Sequence, residues 1–335
     1  MNQNWKNFLN SVKASFEYND VIAFPTRSNH YEKLIYPITQ LAVLTVSGKD
    51  AAKLLQGQIT CNINDINETK SSLGALCNPK GRTITTFLLI KKTDAFLMVL
   101  PKELLESVKK RLQMYILRSA VTLTDSSDTL CLIGLSDCTT QPTGLFATSQ
   151  LGIISINLST NKNRQLVIAD ADKAIELWSK RVDNEDYHPE NSDQWLYQDI
   201  VSGIPWLTTE TSEEFIPQML NLDQLGAISF NKGCYTGQEI IARTHYLGKT
   251  KRTLYLAECH SALTPKPNST IIDNTSGTEE NIGKVLIAQR STTLTPLELN
   301  KIKMLIVLQA NENETYNLAL NDDNHTKINL LTTSL

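Results

Sequence analysis

The run SSLGALCNPKGRTITTFLLIKK, residues 71–92, sets two apolar strands on either side of Asn78-Pro79-Lys80-Gly81. Proline and glycine together punctuate the backbone, so this stretch reads as two strands joined by a turn. A further strand, DAFLMVLP, follows, and then PKELLESVKKRLQMYILRS, whose apolar residues at 104, 105, 108, 112, 115 and 116 have helical spacing behind Pro101. Upstream, QLAVLTVSG reads as a strand and KDAAKLLQGQI as a short helix. Strand, helix, strand pair, strand and helix in this order predict an α+β layer of sheet and helices.

The same theme recurs less regularly between 121 and 194, ending on the helix ADKAIELWSKRV. The polar, acidic stretch DNEDYHPENSD, 183–193, is expected to be a solvated linker, after which QWLYQDIVSGIPWL resumes as a helix ended by Gly203 and Pro205. From about Thr250, short β-rich runs with turn residues between them predict a small barrel or sandwich. At the N-terminus, Trp5, Phe8, Leu9, Val12 and Phe16 recur at helical spacing, which predicts an amphipathic helix rather than a secretory leader. A transit peptide is the weaker reading, because the segment holds lysines but no arginine.

A chain of 335 residues is too long for one small core. Its net charge of −3 argues against gripping nucleic acid by bulk charge, and no apolar run approaches a membrane span. The chain is too large and too poor in cysteine to need disulfides, so free thiols in a reducing cytosol are expected, and the protein is expected to be a cytoplasmic monomer. Six cysteines, at 61, 77, 131, 138, 234 and 259, include no C-x-x-C pair and no metal-ligand spacing. Histidines 30, 188, 245, 260 and 325 are scattered, and no nucleophile elbow or phosphate loop is present.

One cysteine has particular surroundings. In SFNKGCYTGQEIIARTHYLGKTKR, Cys234 precedes Thr236-Gly-Gln-Glu239, which has the form of a capping box. Thr236 is expected to cap a helix with Glu239 reaching back, so that helix N–H groups face the thiol. Lys232 and Arg243 would add positive charge, and such surroundings lower a thiol pKa. Gly233 and Gly237 let the loop turn tightly. A buried, inert cysteine is the plainer alternative. Trp195 and Trp206 read as core residues, with a wall for a planar ligand as the alternative.

KGCYTGQEIIAR resembles the signature of the YgfZ family, and EFIPQMLNLDQLGAISFNKGCYTGQE its longer block. LLQGQIT, LGALCNPKGRTITTFLL and WLYQDIVSGIP are similar to other parts of the same family, so the resemblance runs from about 35 to 255. These are folate-binding proteins related to the glycine cleavage T-protein and to a mitochondrial iron–sulfur assembly factor. The resemblance implies an α+β, three-domain T-protein-like arrangement around a central folate pocket. Its parts would be a discontinuous folate-binding domain of 1–120 plus 195–245, a ferredoxin-like domain of 121–194, and a C-terminal β-barrel of 246–335.

It further implies an accessory factor that binds tetrahydrofolate or a derivative. The factor would support client iron–sulfur proteins, including the enzyme that methylthiolates tRNA, without touching nucleic acid itself. Cys234 would be its functional residue. Trp195 would wall the pterin, and Gln218, Asn221, Tyr235, Gln238 and Glu239 would supply polar partners. Lys232, Arg243, Lys249 or Arg252 would meet the glutamate tail. Two departures from the T-protein pattern count against aminomethyl transfer. Thr85 and Thr86 stand where its aspartate pair would be, and Asp199-Ile-Val-Ser-Gly203 replaces Arg-x-Glu-x-Gly. Leu41 stands where relatives often carry an aromatic. A folate-dependent one-carbon transferase and a thiol oxidoreductase are the alternatives.

Overall fold

The computed structural model describes residues 1–17, 20–25, 32–137, 142–159, 163–248, 250–275, 279–291, 300–309 and 316–331. Cys138, His30 and Lys249 lie outside them. The described chain divides into two compact units, each of more than one segment. The first holds Met1–Gln56, Asn62–Leu73 and Phe87–Trp195, and the second holds Gly57–Cys61, Gly74–Thr86 and Leu196–Leu335.

In the first unit, helix α1 (Gln3–Ser11) is capped by the Asn2 side chain, which accepts from the Asn4 and Trp5 amides at 2.9 and 3.2 Å. It buries Trp5 and Leu9 and ends earlier than the apolar spacing suggests, because Lys13 takes a positive φ of 68°. Phe16 then falls in the short strand Ser15–Phe16. Trp5 meets Trp178 of helix α4 (Ala171–Asn184) edge-on at 5.6 Å. Helices α2 (Ala51–Gln56) and α3 (Leu105–Ile116) lie between; α3 buries Leu105, Val108, Leu112 and Ile116, a single helical stripe.

Beside the two-stranded pairing of Ser15–Phe16 with Ile22–Ala23, two larger sheets draw on this part of the chain. One orders Ser72–Cys77, Thr83–Lys92, Ala95–Pro101, Leu41–Ser47 and Thr122–Asp125. The other has six strands, in the order Thr148–Ser149, Ile154–Asn157, Gln165–Ala169, Cys131–Leu135, Leu34–Pro37 and His188–Pro189.

The last of these strands corrects the linker expectation for 183–193. His188 and Pro189 pair in parallel with Leu34 and Ile35, Tyr187 is buried, and Ser192 opens helix α5 (Ser192–Val201). Burial raises the carboxyls of Glu190 and Asp193 above their usual range. The acidic composition misleads here because the backbone and the ring of Tyr187 carry the packing; the guanidinium of Arg181 lies 5.4 Å from that ring.

In the second unit, the Asn78 turn closes as its residues require. The Gly81 amide donates to the Asn78 carbonyl at 2.9 Å, and the Asn78 side chain accepts from the Lys80 and Arg82 amides. The C-terminal half-barrel is a six-stranded antiparallel sheet of Leu318–Leu320, Thr270–Asp273, Glu280–Arg290, Lys301–Gln309, Arg252–His260 and Ile328–Leu331. A bridge between Ala319 and Lys327 draws its two edge strands together, which blunts the exposed edges a flat sheet would leave. Its core includes Ala257, Ile271, Val285, Met304 and Ile306.

Trp195, on α5, closes one face of the first unit's six-stranded sheet. Its ring lies so near Gly134 that a Cβ there would sit 2.2 Å from the indole. Gly134→Ala is therefore expected to destabilise the protein by about 1–3 kcal/mol. Urea unfolding would show this as a lower midpoint at unchanged slope.

Candidate functional site

Cys234 sits on a loop tied along one short backbone segment, Gly57–Cys61. The Ser229 amide donates to the Thr60 carbonyl at 2.9 Å, and the Thr236 amide to the Gly57 carbonyl at 3.2 Å. Between them the Lys232 ammonium donates to the carbonyls of Ile59 and Cys61, each at 2.8 Å. The other edge of Gly57–Cys61 pairs with the hairpin, through the Ile59–Leu76 bridge and the Thr60 amide on Ala75. The loop is thus fixed to a rigid element, yet Cys234 itself is exposed. A Cβ at Gly233 would meet nothing within 4 Å.

The capping box does not form. Helix α6 (Gln238–Leu247) starts from Gly237, at φ 85°, with no side-chain cap. Thr236 donates its hydroxyl to Gln58 Oε1 instead, at 3.1 Å, and Gln238 Oε1 accepts from the Tyr235 amide at 3.3 Å. The reason is steric. A Cβ at residue 237 would lie 2.6 Å from the Asn78 carbonyl oxygen, so the chain passes the hairpin turn as a glycine in the left-handed region. Glu239 is exposed.

The remaining sequence-derived candidates in this unit serve backbone groups. Lys232 is also 5.0 Å from the centroid of the buried Tyr235 ring. Burial pushes the Tyr235 phenol above its usual range, with the Cys77 and Cys61 thiols adding to the shift. Gln218 donates to the Ile241 carbonyl of α6 at 2.7 Å, while its buried Oε1 has no partner among the described residues. Asn221, left-handed at φ 55°, donates to the Leu254 carbonyl at 3.1 Å. Arg243 is exposed and Arg252 half-buried. Thr85 and Thr86 are buried, their hydroxyls donating to the Thr86 and Pro205 carbonyls. Sequence reasoning missed the role of Asp199, which is fully buried and accepts from Trp206 Nε1 at 2.8 Å.

Trp195 belongs to the first unit and is fully buried there. Tyr36 stands 5.4 Å from its ring, and the guanidinium of Arg164 lies over it at 4.3 Å. Its indole N–H has no acceptor among the described residues. Leu41 is buried at the start of its strand. Arg164 was not foreseen. It immediately precedes the strand Gln165–Ala169, and nothing in the stretch RQLVIAD marks it as buried against an aromatic.

No family model matches the sequence. Among solved structures, an aminomethyltransferase T of the glycine cleavage system from Bartonella henselae superposes with a TM-score of 0.76. It covers 100% of this chain and 97% of its own, at 12% identity, so the fold is of the aminomethyltransferase T-protein class. Among curated proteins, the tRNA-modifying protein YgfZ of Colwellia psychrerythraea is 32% identical over 69% of this chain and 73% of its own length. That of Hamiltonella defensa is 34% identical over 64% and 66%, and that of Cronobacter sakazakii 29% over 79% and 83%. The chain belongs to the YgfZ family.

Two measurements follow from this geometry. Cys61, Cys77, Cys131 and Cys259 are buried, and burial pushes the Cys131 and Cys259 thiols up to about 12 and 11. Iodoacetamide on the native protein is therefore expected to label Cys234 while these four react only after denaturation, as mass spectrometry of time points would show. The Lys232 ammonium is pushed down to about 8 by burial, while its two carbonyl acceptors favour the charged form. Between about pH 8 and the unfolded value of 10.5, the unfolded chain holds the proton that the folded chain has released. The stability of the wild type relative to Lys232→Met is thus expected to rise with pH across that window. Paired urea titrations at pH 7.5 and 10 would measure the difference.

Proposed function

We propose that this protein is a folate-binding accessory factor for iron–sulfur enzymes, including those of tRNA methylthiolation, and that Cys234 is its functional thiol. The observation that carries the reading is the placement of Cys234: exposed, on a loop held at both flanks, beside open space at Gly233. A buried filler cysteine needs none of this support. The names of the relatives, tRNA-modifying proteins, support the biological setting.

The fit to folate rests on Trp195. A fully buried indole N–H without an acceptor is rare in folded proteins and suits a ligand that supplies one. The heteroatom edge of a pteridine does so. Folate, when bound, would supply a one-carbon carrier. The chain's own residues at 85 and 86 offer hydroxyls already donated to carbonyls, so they bring no carboxylate to such a unit.

Calorimetric titration with tetrahydrofolate tests the ligand. Trp195→Phe keeps an aromatic ring and removes the N–H, and a loss of one hydrogen bond predicts roughly tenfold weaker binding. Absence of binding by the wild type would remove folate from the reading. Independently, Cys234→Ala in a strain lacking the gene is expected to leave tRNA methylthiolation unrestored; full rescue by that variant would defeat the role of the thiol.

A further inference from the structure

Helix α6 ends in an aromatic stack that neither folate nor the thiol explains, although Arg243 beside it is among the candidates for the folate tail. His245 lies flat on Phe230, with ring centroids 3.7 Å apart and planes at 14°, and Tyr246 stands edge-on to both. Phe230 is half-buried and anchors the stack, whereas His245 is exposed, Tyr246 is 64% exposed and Leu247 83%. Residues 240–252, IIARTHYLGKTKR, hold four Lys or Arg and no Asp or Glu, within a chain of net charge −3. Among the described residues, the ion pairs of this unit are Lys284–Glu214, Lys301–Glu258, Lys303–Glu258 and His325–Glu279, so none takes Arg243, Lys251 or Arg252. A helix C-terminus attracts cations by itself. That accounts for positive charge here, but it leaves an exposed aromatic stack without a purpose.

Aromatic faces interleaved with cations are what single-stranded nucleic acid needs, bases stacking on the rings while phosphates meet the charges. We propose that the C-terminal end of α6, built on His245, Tyr246 and Arg243, is a docking surface for single-stranded RNA. The charge is local, so it coexists with the acidic whole and departs from the expectation that the chain avoids nucleic acid. An acidic protein segment would match the cations and Leu247, but it would not need the flat stack. The surface is argued independently of the role proposed above; only the choice of RNA over DNA rests on that role.

Fluorescence anisotropy of the full chain with a labelled, unstructured 12-nucleotide RNA tests this between 50 and 200 mM salt. About 0.7 counterions are released per phosphate neutralised on a single strand, so two to four cations predict a log–log salt slope of about −1.4 to −2.8. Tyr246→Ala is expected to weaken binding about tenfold, Tyr246→Phe to restore it, and Arg243→Gln to flatten the slope by about 0.7. No binding at 50 mM salt, or binding indifferent to Tyr246→Ala, overturns the proposal. Tighter binding of the DNA 12-mer overturns the choice of RNA. Tyr246-dependent binding of a leucine- and glutamate-rich peptide in place of RNA reassigns the surface to an acidic protein. None of these readouts depends on folate or on Cys234, so their failure leaves the proposed function standing.

Discussion

The second unit depends on one close approach between segments far apart in sequence. Gly237, at the start of α6, faces Gly81 of the hairpin turn; a Cβ on the first would lie 2.6 Å from the Asn78 carbonyl oxygen, and one on the second 2.9 Å from Ile240. Both glycines take positive φ, 85° and 70°. Any side chain at either position would separate turn from helix and strain the backbone as well. Because turn and helix touch here, the loop before the helix can lie along Gly57–Cys61, whose opposite edge pairs with the same hairpin. The thiol at 234 is thus positioned by a contact in which it takes no part.

That arrangement places a lysine where its charge is poorly solvated. Burial works against the Lys232 ammonium, and two carbonyl hydrogen bonds, made stronger by the charge, work for it. An uncharged residue would remove the desolvation penalty but would leave two buried carbonyls without a donor. The loop therefore keeps the charge. The outcome is a flank tied by two hydrogen bonds beside a cysteine open to solvent.

Much of this was legible in the sequence because local chemistry dictated it. Asn78-Pro79-Lys80-Gly81 admits little but a tight turn, and the spacing of Leu105, Val108, Leu112 and Ile116 admits little but a helix face. Failures came where a distant segment overrode a local preference. Thr236-x-x-Glu239 has the right residues for a capping box, but the hairpin turn fixes Gly237 in the left-handed region and Gln58 takes the threonine hydroxyl. The acidic composition of 183–193 suggested solvent, but pairing with Leu34 and Ile35 drew it into a sheet. Arg164 and Asp199 could not be foreseen at all, since their significance lies in the tryptophans they meet.

The partner of Trp206 also bears on which groups of this chain are open to solvent and which are not. Residues 85 and 86 are buried threonines whose hydroxyls are turned to backbone carbonyls, so they present no free group there. The carboxylate of Asp199, in the segment that departs from Arg-x-Glu-x-Gly, accepts the Trp206 N–H in a site without solvent. A carboxylate already committed to a buried donor is a structural anchor and a poor base, because taking a proton would break the bond that holds it. The thiol of Cys234, by contrast, is exposed on a loop held at its flanks, beside open space at Gly233. The two groups thus differ in access: the Asp199 carboxylate is enclosed and hydrogen-bonded, whereas the Cys234 thiol lies at the surface.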